Sequence, residues 1–158
     1  MVYKKAEGRF DEDSPHIVLH HPSDSGNLGT ILRTALGFGL KNIAIIRPAV
    51  DSDDPRVVRA SMGAAFRAVP VSMTREAAVA SCRANGVRLL ATALRADAHD
   101  LREETLSQTA VIIGSEGRGV CRELLDAADG TVIIPMQSHC ESLNAAVAAT
   151  IVMWQMRR

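Results

Sequence analysis

Over residues 143–156 only Asn144, Thr150 and Gln155 are polar. At helical spacing Leu143, Ala146, Val147, Ile151 and Trp154 form one apolar face, and Ala145, Ala149, Val152, Met153 and Met156 form another. A helix apolar on nearly every side has to be covered on every side. At the end of a small domain such a helix meets core on one side only, so its second cover is expected to be another subunit. Asn144, in the first turn, is a polar group in dry surroundings and needs partners. The rest of the chain, or a ligand, is expected to converge on it. Ser142 reads as the N-cap of this helix. Residues 132–136 read as a buried strand ended by Pro135, which has no N–H to give to a ladder.

A chain of 158 residues is long enough for one domain with a proper core. Apolar residues make up 47% and charged residues 23%, the balance of a soluble globular protein. Aromatics make up only 3%, which argues against a platform for stacking bases. The 18 basic and 18 acidic residues cancel, so nothing draws the whole chain to nucleic acid or membrane. Any such partner must meet a local basic patch. Cys82, Cys121 and Cys140 are odd in number and fit neither a disulfide framework nor a zinc pattern, which points to the reducing cytoplasm. The polar, charged opening, with Lys4, Lys5, Glu7, Arg9 and Asp11, does not resemble a signal peptide. No apolar run has the length and purity of a membrane span.

Residues 1–15 read as a flexible arm, and residues 16–158 as one domain. Ile17-Val18-Leu19 is a first strand, and residues 20–26 are a loop. Leu28, Ile31, Leu32, Ala35 and Leu36 mark a helix that Asp24 or Ser25 can cap and Gly39 can end. Strands follow at residues 42–46, 69–71 (an edge, because of Pro70), 87–93 and 109–113. Helices are expected at residues 55–65, 74–85 and 122–128. Strands that alternate with helices and are apolar throughout imply a mostly parallel sheet with helices on both faces. Ligands of such sheets sit beyond the carboxyl ends of the strands. Three loops leave strand ends there with small or polar residues: 22–27, 114–119 and 137–144.

Gly114-Ser115-Glu116-Gly117-Arg118-Gly119 is the strongest local signal. Three glycines let the backbone approach a ligand, or simply make a tight turn. The spacing G-x-x-G-x-G reverses that of the dinucleotide fingerprint, and no phosphate-cradling G-x-x-x-x-G-K-[ST] occurs. Arg33 lies off the apolar face of its helix, where a surface arginine and a site residue look alike. His20, His21 and His139 do not stand at metal-ligand spacing, so no metal is expected. Cys140 beside His139 does not by itself make a nucleophile and base pair.

Taken together these segments resemble a family. Asn27 and Arg33 within Ser25-Gly-Asn-Leu-Gly-Thr-Ile-Leu-Arg-Thr-Ala35, then the 114–119 loop, then Ile134-Pro-Met136 with Ser142-Leu-Asn144 resemble the three ordered motifs of the SPOUT methyltransferases, TrmH (SpoU) branch. Arg59-Ala-Ser-Met-Gly-Ala64 is similar to that family's intervening segment, and the likeness runs from Ile17 to the end. The resemblance implies an α/β fold with a C-terminal trefoil knot, which periodicity could never reveal because knots are so rare. It implies S-adenosylmethionine as methyl donor, a ribose 2′-hydroxyl of structured RNA (tRNA or rRNA) as acceptor, and a homodimer through the last helix. Carried onto this chain, it puts Gly114, Ile134, Met136 and Leu143 in the cofactor pocket, with Leu94 beside them. It makes Asn27, Arg33, Glu116, Ser142 and Asn144 the catalytic and RNA-facing set. The arm is too short to fold as the RNA-binding domain that many relatives carry. Either the catalytic dimer recognises RNA alone, or this is one domain of a longer protein.

The 2′-oxygen must approach the methyl in line and lose a proton. The family's proposed base is the motif-one arginine, here Arg33. Neutralising a guanidinium at pH 7 costs roughly 7–9 kcal/mol, so a charged Arg33 that clamps an RNA phosphate is an equal alternative. Glu116 is expected to anchor Asn27 or Arg33, with Ser142 and Asn144 orienting ribose or cofactor. Two other readings remain: a base-modifying methyltransferase of the same superfamily, and a non-catalytic RNA-binding or assembly factor with the same fold.

Overall fold

The structure is a computed structural model that describes residues 16–140 and 142–158. The arm expected over residues 1–15 lies outside the described residues. Seven strands form one sheet: β1 (His16–His20), β2 (Asn42–Ile46), β3 (Val71–Met73), β4 (Arg88–Thr92), β5 (His99–Asp100), β6 (Thr109–Ile113) and β7 (Gly130–Ile133). Their order is β3-β2-β1-β6-β4-β7-β5, and every pairing is parallel. Five helices join them: α1 (Ser25–Gly37), α2 (Pro55–Ala60), α3 (Arg75–Ala84), α4 (Arg122–Ala127) and α5 (Ala145–Gln155). β1, β2 and β6 are buried along their whole length, as continuous apolar runs require. Ile17, Leu19, Ile43, Ile45, Val111 and Ile113 pack under α1, α2 and α5. Val18, Ala44, Ile46, Ala110 and Ile112 pack on the other face, against Ala78 and Cys82 of α3 and Leu124 of α4.

Several boundaries differ from the expected ones. Asn144, and not Ser142, caps the last helix: its Oδ1 accepts from the backbone N–H groups of Ala146 (2.9 Å) and Val147 (3.3 Å). The last strand runs from Gly130 to Ile133, opposite the last residue of β5 and one residue past that of β4, so Pro135 lies beyond the sheet. The helix expected over 55–65 stops at Ala60. Met62 (φ 53°) and Gly63 (φ 81°) then turn the chain left-handed into a 3-10 turn, Ala64–Phe66. The edge strand begins after Pro70, at Val71. β5 and the 3-10 turn Leu101–Glu103 were not expected, because two-residue strands carry no period.

The topology decides where a ligand can sit. The chain runs outward through β2 and β3, then crosses to β4, and β6 inserts between β4 and β1. The order therefore reverses between β1 and β6, with Leu19 opposite Ile113 at their carboxyl ends. Loops diverge there and leave a crevice. The chain then reaches β7, beyond β4, yet α5 returns to pack against α1 and β6. The segment between β7 and α5 therefore leads from the far side of β4 back to α1 and β6.

Candidate active site

Each of the three loops at this edge is held by its own chemistry. In the first, Asp24 caps α1: its Oδ1 accepts the Asn27 backbone N–H at 2.7 Å, which fixes Asn27 in the opening turn. In the second, Ser115 and Gly119 exchange two backbone hydrogen bonds (3.2 and 2.9 Å), closing a turn with Gly117 (φ 75°) and Gly119 (φ 65°) in the left-handed region. Gly114 has no room for a side chain: a Cβ there would lie 2.3 Å from the Gly119 carbonyl carbon. Gly114 therefore lets the turn fold back on itself. In the third, Asn144 opens α5.

The three loops meet in one hydrogen-bonded cluster. Asn27 Nδ2 donates to Glu116 Oε1 at 2.7 Å. Asn144 Nδ2 donates to the same oxygen at 2.9 Å and to Asn27 Oδ1 at 3.0 Å. The Ala145 backbone N–H adds a third, longer bond to Glu116 Oε1 at 3.3 Å. Asn144 thus uses Oδ1 to cap α5 and Nδ2 to join the cluster. Segments do converge on Asn144, but its side chain is exposed and not in the dry surroundings expected, because its partners come from loops at the open carboxyl edge of the sheet. Of the two anchors considered for Glu116 it is Asn27 that the carboxylate holds.

Beside the cluster opens a cleft of about 830 Å³. Leu94, Gly114, Ile134, Met136 and Leu143 all line it, together with Glu116, Ser142 and Asn144. Leu94 is 59% exposed, so a large apolar side chain stands open to solvent at the cleft. The structure does not bring Arg33 here: it is exposed on α1, outside the cleft lining, and Asn27 reaches Glu116 without it. Among the described residues no group of three or more His, Cys, Asp or Glu side chains could hold a metal ion.

Sequence reasoning missed three residues that build the site. Gly29 touches α2 so closely that a Cβ would lie 2.5 Å from Ala60 Cβ and 2.8 Å from the Val57 oxygen. Its place in the first motif was the available signal. His20, buried at the end of β1, donates from Nδ1 to the Gly119 carbonyl at 3.4 Å and stacks on His21. Its Nε2 is buried without a partner among the described residues, and burial followed by the neighbouring His21 holds its pKa below the ordinary histidine value. Arg118, inside the glycine loop, lines the cleft rim.

A parallel sheet whose reversal point carries a glycine turn, a polar cluster and a half-apolar cleft defines an α/β protein built to hold a small organic ligand. The chain belongs to the SpoU rRNA Methylase family, whose family model matches residues 14–154. It is 34% identical over 134 residues to the 23S rRNA (guanosine(2553)-2'-O)-methyltransferase RlmP of Bacillus subtilis, covering 85% of this chain and 54% of that protein. The SpoU methyltransferase AviRb from Streptomyces viridochromogenes, in complex with the cofactor AdoMet, superimposes with a TM-score of 0.84 at 30% identity, over 95% of this chain and 62% of that one. AdoMet-bound rRNA methyltransferase from Sinorhizobium meliloti gives 0.85 at 30% identity, over 98% and 58%. The chain spans about half the length of the curated relatives it matches.

Proposed function

We propose that this protein transfers a methyl group from S-adenosylmethionine to a ribose 2′-hydroxyl in tRNA or rRNA, as a homodimer in the cytoplasm. The observation that carries the reading is the Asn27–Glu116–Asn144 cluster, joined from three separate motifs beside the cleft. The family relationship and the AdoMet-bound relatives support the choice of cofactor. The cleft fits that group: it has the volume of an ordinary small-molecule site, with apolar walls at Leu94, Ile134 and Leu143 and a carboxylate at Glu116. When bound, S-adenosylmethionine supplies an electrophilic methyl on a sulfonium. Glu116 offers negative charge to that cation while Asn27 and Asn144 hold its carboxylate in one rotamer. Ser142, exposed at the cleft, orients the ribose. The return of α5 from beyond β7 to α1 and β6 supports the trefoil knot.

Arg33 acts on the RNA from outside its own cleft, as base at the 2′-oxygen or as phosphate clamp. Arg33→Ala lowers single-turnover methylation about a hundredfold and leaves cofactor affinity nearly unchanged. A rate within threefold of wild type removes Arg33 from the mechanism. Rescue of Arg33→Lys at high pH marks the base; a flat pH response marks the clamp. The function itself is tested by calorimetry with S-adenosylmethionine, with and without chelator, and by mapping 2′-O-methyl groups lost from tRNA and rRNA of a deletion strain. Absence of both a heat of binding and a lost methyl group refutes it.

A further inference from the structure

Among the described residues, three charged side chains line the cleft: Arg95, Glu116 and Arg118. Arg95 is held by Asp97 through two hydrogen bonds, 2.9 and 3.2 Å. Glu116 is held by Asn27, Asn144 and Ala145. Arg118 is exposed and makes no hydrogen bond or ion pair with any described residue. It is presented by a fixed turn: Gly117 and Gly119 flank it in left-handed conformations, and the Ser115–Gly119 bridge closes the loop beneath it. The same turn carries Glu116 into the polar cluster, so Arg118 stands two residues from that cluster.

A chain with zero net charge has to hold RNA through local cations. In RNA the 2′-hydroxyl sits on the carbon next to the one that carries the 3′-phosphate. Any ribose that presents its 2′-oxygen to this cleft therefore brings a phosphodiester to the rim. We propose that Arg118 is a substrate-binding residue whose guanidinium takes the phosphodiester flanking the target ribose. The inference rests on the RNA methylation reading above. The other anion of similar chemistry is the cofactor's carboxylate. The exposed rim position favours the phosphodiester, because a group inside the cleft does not need a cation that faces solvent.

The test uses the full chain with unmodified tRNA and 23S rRNA transcripts. Arg118→Ala raises the KM for RNA about tenfold and lowers the slope of log binding constant against log salt by about 0.7–0.9. S-Adenosylmethionine affinity stays within twofold, and Arg118→Lys keeps the wild-type slope. Arg122→Ala, which removes an exposed cation on α4 outside the cleft lining, changes neither slope nor KM. The proposal is overturned if Arg118→Ala leaves the slope unchanged, if Arg122→Ala lowers it equally, or if cofactor affinity falls tenfold at an unchanged slope. The last result would assign Arg118 to the cofactor's carboxylate. Failure of wild type to methylate either transcript would instead count against the function proposed above, while the slope comparison would still report on Arg118.

Discussion

At the scale of single residues, one carboxylate oxygen joins three segments of the chain. Glu116 Oε1 accepts from Asn27, Asn144 and the α5 backbone, while Asn144 also caps that helix. The cluster is open to solvent, so its worth in stability is modest, about 1 kcal/mol. Its geometry matters more than its energy. Glu116→Ala is expected to shift the urea midpoint little and to lower methyl transfer by at least about a hundredfold, read in single-turnover assays. His20 carries the opposite balance. Burial, then His21, holds its pKa down, so the unfolded chain takes up a proton on this residue more readily than the folded one. Its contribution to stability is complete above the ordinary value of 6.5 and fades as pH falls towards the lowered value. Thermal unfolding of wild type between pH 7.5 and 5.5, on the order of one unit either side of that value, should therefore show an acid loss that His20→Gln reduces. An unchanged loss in the variant would locate the acid sensitivity elsewhere.

At the scale of elements, the first helix is positioned by an absence. Gly29 lets α1 lie against α2 at a separation no side chain permits, and the opening turn of α1 carries Asn27. Gly29→Ala would drive a methyl group into Ala60 Cβ and into backbone atoms of Val57 and Ser61. Backbone cannot yield as a side-chain tip can, so the expected loss is about 1–3 kcal/mol in urea unfolding. Because the displaced helix carries Asn27, methyl transfer should fall further than the loss of folded protein explains. Activity that tracks the folded fraction would show that α1 shifts without disturbing the cluster.

At the scale of the whole molecule, α5 is half covered. Ala146, Ala149, Val152 and Met153 are buried within one chain, while Val147 (48% exposed) and Trp154 (61%) face outward. Val152, expected from the all-round apolar helix to face the partner subunit, is instead fully buried in the core of its own chain, because that side of α5 packs on α1 and β6. Val147 and Trp154, two turns apart, lie on one side of the helix, and Phe38 packs beside Trp154 with ring centroids 5.7 Å apart. The proposed homodimer would cover this stripe. Trp154→Glu should convert it to a folded monomer by light scattering at micromolar concentration, whereas Val152→Glu should prevent folding by burying an unpaired charge. A monomeric wild type would refute the interface.

The sequence by itself determined the parallel α/β class. Strands such as Asn42–Ile46, buried along their length, and helices with a cap at Thr74 or Asp24 are written in local period and local hydrogen bonding. It also pointed to the segments that matter, because the loops 22–27, 114–119 and 137–144 stand out as small or polar after apolar strands and carry parts of the motifs that resemble the family. Three things were left to the tertiary structure. It assigned Asn144 both the cap and the cluster, since a polar residue's partners lie 28 and 117 positions away and no window spans them. It gave Gly114 and Gly29 their packing roles, since a missing Cβ has meaning only beside the atoms it would strike. It divided the faces of α5, since a helix apolar all round carries no pattern that says which side meets the sheet. Composition could make that helix apolar, but only the position of α1 and β6 decided which residues they cover.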